Sequence, residues 1–212
     1  MREPDVTLTD FGLAAACGAF AFVIIQTAGN RSSLRLAAAG FFLFLGLSAA
    51  IGGTVHGFCA SEESGTCVTL WLLTLETVGL ASASLWVAGA MLLSERAARP
   101  LALLAIPLLT IYSGSVLLVT RQFWIAFSAY LPAMLLLSFG FLAVRAQLRP
   151  GTWLVGVSGV VTSLASCAVQ YLQMGLHPIY LSHNALAHVI QGIAMTLLFV
   201  SLRQAVSAPH PV

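Results

Sequence analysis

This sequence predicts an all-α membrane protein, a bundle of seven transmembrane helices, and three observations carry that reading. Only 8% of the 212 residues are charged and 59% are hydrophobic, against about 25% charged residues in a soluble domain. The apolar residues fall in seven runs, each near the roughly 20 residues that a helix needs to cross the hydrocarbon core. The runs are continuous rather than alternating, the pattern of spanning helices and not of a barrel. The net charge of +2 gives no reason to expect a nucleic-acid partner.

The first run, 8–29, closes at "GNRSS". No basic segment with a small-residue cleavage site precedes it, so it is expected to remain as a permanent helix. Asp10, at its start, reads as an N-cap. The second run, 35–57, ends in "IGGTVHGF", and "CASEESGTC" separates it from the third, 68–93. "SERAARP" leads into the fourth, 100–119, and "TRQ" into the fifth, 123–145. "RAQLRPG" precedes the sixth, 151–174, and "MGLHP" precedes the seventh, 181–203. No repeat divides the chain, so residues 1–212 form one domain.

Orientation follows from arginine, the only basic residue type other than histidine. One set of connections holds Arg31, Arg35, Arg96, Arg99, Arg145, Arg149 and Arg203, and the other only Arg2 and Arg121. The positive-inside rule puts the first set in the cytoplasm. The N-terminus is then outside and the C-terminus inside, in a bacterial inner membrane. Cys59 and Cys67 fall outside, where two close loop cysteines form a disulfide. Cys17 and Cys167 lie within apolar runs and read as small core residues.

The acidic residues Glu3, Asp5, Asp10, Glu62, Glu63 and Glu95 lie in tails, loops or helix ends; Glu76, in "WLLTLETVGL", lies well inside a run. An ionisable residue at that depth marks a functional site by default. His56 ends the second run, and His183 and His188 open the seventh, so these four residues share the outer third of the membrane. His183 and His188 are five apart, about 140° around a helix. Asn184, His188 and Gln191 do share a face. Gln170 and Ser166, from the sixth run, and Tyr130, from the fifth, reach the same depth, where ordinary interhelical hydrogen bonds account for most polar groups.

Three histidines with an open fourth position make a catalytic zinc site. Zinc would lower the pKa of bound water to about 7, Glu76 would move the proton, and Asn184, Gln191 or Gln170 would orient an imidazole. The motifs "GGTVHG", "LETVG" and "HNALAH" resemble those of the CREST superfamily, the seven-helix group of alkaline ceramidases and adiponectin-receptor-like proteins, and most closely its small bacterial members. The resemblance implies a zinc-dependent membrane hydrolase of a lipid amide or ester, acting from the outer side and drawing on membrane lipids. It also implies His56, His183 and His188 as ligands, with Glu76 as the catalytic acid. Where that group has Ser, four residues before the second-run histidine, this chain has Gly52.

Two other functions stay open. His56 and His188 could ligate a haem axially in a redox subunit. The small-residue stretches "ASASLWVAGA" and "GVSGVVTSLAS" suit a non-catalytic accessory or scaffold subunit of a larger membrane assembly. The arginine asymmetry makes a direct prediction of topology. A Glu62→Cys variant is labelled by an impermeant thiol reagent from outside, and an Ala97→Cys variant only after the inner face is opened; labelling of the second from outside reverses the orientation.

Overall fold

A computed structural model describes residues 2–59, 65–93 and 95–208, the side chain of Glu95 excepted. Glu62 and Glu63 lie outside the described residues. Eight helices follow one another among the described residues: α1 (Pro4–Gln26), α2 (Ser32–Phe58), α3 (Gly65–Leu92), α4 (Glu95–Leu103), α5 (Ala105–Leu118), α6 (Trp124–Ala143), α7 (Thr152–Tyr171) and α8 (His183–Ser207). There is no strand among the described residues. Seven segments are long and apolar enough to cross a membrane, the fourth, Arg96–Leu118, combining α4 with α5.

The differences from the expected runs have local causes. α1 begins at Pro4, four residues before the apolar run, because proline's missing N–H and fixed φ suit the first helical turn. The fourth run breaks around Leu104, between α4 and α5. Pro107 has no N–H to give the Leu103 carbonyl, and its ring crowds that oxygen. α8 starts at His183 and not at 181, since extended Ser182 caps it, its hydroxyl accepting from the Ala185 N–H. It then runs on to Ser207.

Six helices close into a ring in the order α1, α2, α3, α6, α7, α8, and α8 packs back on α1. α5 stands outside this ring against α3, its start tied down by α4, whose Leu101 carbonyl accepts from Trp86 Nε1 at 2.6 Å. One end of the ring is filled. Phe20 of α1 sits between Phe42 of α2 and Phe199 of α8, with ring centroids 5.6 and 4.5 Å away. Arg31, buried in the α1–α2 connection, donates to the Met91 carbonyl at 2.8 Å and the Ala205 carbonyl at 3.4 Å. It thus ties together carbonyls near the ends of α3 and α8, where helices run short of backbone donors, and burial lowers its pKa from the usual arginine value. At the opposite end Cys59 and Cys67 form the expected disulfide, Cα atoms 5.8 Å apart, joining α2 to α3; Cys17 is buried and unpaired.

The ring is tight where α3 crosses α6. A Cβ added at Gly89 would lie 2.8 Å from the Leu137 backbone nitrogen, and one at Gly140 would lie 2.9 Å from the Gly89 carbonyl. Backbone cannot give way as a flexible side chain can. Gly89→Val therefore destabilises the bundle by about 1–3 kcal/mol, read as a lower unfolding midpoint in detergent, whereas Gly12→Ala, with nothing within 4 Å, leaves it unchanged.

Candidate functional site

The end of the ring away from Arg31 encloses a cavity of about 250 Å³, lined from α1, α2, α3, α6, α7 and α8. Leu13, Leu45, Val78 and Phe127 give it apolar walls, and Asp10, His56, Gln170, Asn184, His188 and Gln191 give it polar ones. Candidate residues from opposite ends of the sequence therefore meet in one chamber.

Asp10 is its buried carboxylate, only 4% exposed. With α1 starting at Pro4, Asp10 lies two turns inside the helix and faces the bundle instead of capping it. Gly52 and Gly53 of α2 make room for it. A Cβ at Gly53 would come 2.8 Å from Asp10 Cβ, and one at Gly52 would come 3.9 Å from Oδ2. The glycines of "IGGTVHG" thus bring α2 against the carboxylate.

His188, on the second turn of α8, faces α1. Its Nδ1 is 3.4 Å from Asp10 Oδ1 and 3.3 Å from Thr9 Oγ1. Asp10 Oδ2 is buried with no hydrogen-bond partner among the described residues. No described residue hydrogen-bonds to His188 Nε2. His56, in the last turn of α2, lines the cavity and pairs through Nδ1 with Glu3 Oε2 at 2.7 Å.

The amides hold one another and the helices, and no imidazole rests on them. Gln170 Nε2 donates to Asn184 Oδ1 at 3.2 Å. Gln191 accepts from Ser163 at 2.9 Å and donates to the Tyr130 hydroxyl at 3.0 Å, and the two hydroxyls lie 3.1 Å apart, closing a triangle. Ser166 donates to the Ala187 carbonyl at 2.7 Å. α6, α7 and α8 are thereby locked behind the His188 turn.

Two expected site residues stand elsewhere. His183, the first residue of α8, is half-buried and does not line the cavity. Five-residue spacing puts it on another face, and α8 starts regularly after its Ser182 cap. Glu76 faces α5, where Ser113 donates to its Oε2 at 2.6 Å and Oε1 is buried without a partner among the described residues. Facing out of the ring, Glu76 meets neither histidine. Among the described residues no three His, Cys, Asp or Glu side chains stand where they could hold a metal. The donor set His56, His183, His188 is thus not assembled as a zinc site among the described residues.

Thr9 and Ser163 escaped the sequence reading and Asp10 reads there as a cap, whereas Tyr130 and Gln191 are placed at this depth and do make interhelical hydrogen bonds. The signal for Asp10 was the proline six residues before it, which moves the helix start upstream. Tyr130→Phe leaves Gln191 Nε2 and Ser163 Oγ short of a buried partner and costs about 1–3 kcal/mol. Denaturant unfolding in micelles reads this, with Tyr180→Phe, at an exposed position, unchanged.

No curated protein and no solved structure matches this chain. A family model described as a family of unknown function, DUF6962, matches residues 6–207. That span takes in both Asp10 and His188 and every helix lining the cavity, and the chain belongs to the DUF6962 family.

Proposed function

We propose that this chain is a membrane hydrolase acting by acid–base chemistry on an ester or amide of a small amphiphile. The carrying observation is the Asp10–His188 pair beside Thr9, a carboxylate behind an imidazole whose Nε2 has no partner among the described residues. In that arrangement Asp10 and Thr9 hold Nδ1 while Nε2 takes a proton from water as the water adds to the acyl carbon. The proton then passes to the leaving oxygen or nitrogen, giving a carboxylic acid and an alcohol or amine. The 3.4 Å separation is longer than a working hydrogen bond, as is common before substrate binds. Asn184 Nδ2 has no described partner, and an amide donor there can meet the oxyanion. The apolar walls suit an acyl chain. By the arginine asymmetry, the cavity end faces outward in a bacterial inner membrane.

The test is turnover of lauroyl esters and amides by purified protein in nanodiscs. His188→Ala and Asp10→Asn lower the rate about 10²–10⁴-fold, and Glu76→Gln, outside the ring, keeps it within about twofold. Turnover equal in wild type and the Asp10→Asn/His188→Ala double variant defeats the proposal. Stoichiometric zinc in the purified protein, with activity lost to a chelator, replaces the metal-free dyad by the metal-dependent hydrolase that the resemblance implies.

A further inference from the structure

We infer that the molecule taken into the cavity carries an anionic head, a carboxylate or a phosphate, held by arginine in a second chamber at the same end of the bundle. The inference rests on the acid–base reading above and adds the substrate class to it.

Size comes first. At about 250 Å³ the cavity falls below the roughly 300–1,000 Å³ of ordinary ligand pockets, so an acyl ester or amide must extend beyond it. A second chamber of about 560 Å³ adjoins it, and His56 and Trp71 line both. A ligand whose chain lies against Leu13 and Val78 can thus pass its head between those two side chains.

Charge decides the head. Among the described residues, the ionisable side chains lining the second chamber are Arg2, Glu3, His56 and Arg121. Glu3 is engaged by His56 at 2.7 Å. Arg2 donates to the Cys59 carbonyl at 2.8 Å. Arg121 is exposed, and its guanidinium has neither hydrogen bond nor ion pair with any described residue. Its own carbonyl accepts from Trp71 Nε1 at 2.7 Å, which ties the Arg121 backbone to a side chain that lines both chambers. The Cys59–Cys67 disulfide also lines this chamber. A guanidinium in that chamber with no donor engaged by a described residue matches the paired oxygens of a carboxylate or phosphate.

The experiment compares dissociation constants in nanodiscs of neutral lipid for two matched pairs. N-lauroylglycine is set against N-lauroylethanolamine, and lauroylglycerol phosphate against monolauroylglycerol. Wild type binds at least one anionic member about fivefold more tightly than its uncharged counterpart, the range of an exposed ion pair, and the pair that shows it names the head. Added salt shrinks the preference. Arg121→Ala removes it without weakening the uncharged member, and Arg121→Lys restores part of it. Equal binding within both pairs, or a preference that survives Arg121→Ala, overturns this inference and leaves the acid–base reading standing. No binding by any of the four overturns both.

Discussion

A carboxylate buried among helices is the constraint on which the rest of this bundle turns. A charged or polar group away from water costs several kcal/mol unless it is partnered, and Asp10 is almost wholly enclosed. The glycine pair of α2 lets the helix come close enough to cover it. Thr9 beside it and His188 opposite supply the polar company. The second oxygen has no partner among the described residues, so the site keeps one strong acceptor in reserve at the wall of a cavity. That residual imbalance is what a merely structural core would have removed.

The two ends of the ring divide the labour. Stacked phenylalanines and the Arg31 side chain fill and fasten one end. The other end is propped open by residues that hydrogen-bond each other around a space. The Tyr130–Ser163–Gln191 triangle matters for this reason: it ties three helices together while spending no imidazole. A dry, close-packed half supports a half that can hold polar atoms without collapsing.

Much of the architecture was legible because hydropathy in a membrane chain is a strong signal that local detail hardly perturbs. All seven runs correspond to helical segments, and the Cys59–Cys67 pairing followed from spacing. The site was half legible. His56 and His188 could be placed in one slab, and they do line one cavity. Glu76 had the right depth and the wrong azimuth, since depth follows from counting residues whereas facing depends on which helix lies outside the ring, and that is a matter of packing. Asp10 was misread through a boundary error of four residues, enough to turn a helix-end cap into a buried side chain. The five-residue spacing of His183 and His188 did foretell that they would not share a face.

Ring closure by α1 and α8 has a consequence for how the protein is made. The two residues of the Thr9–His188 contact are 179 positions apart, and α8 leaves the ribosome after all the other helices. Until it inserts, Asp10 has no imidazole opposite it and the wall of the cavity is missing. The nascent bundle therefore carries that carboxylate through most of its synthesis covered from the α2 side but without the imidazole that α8 brings.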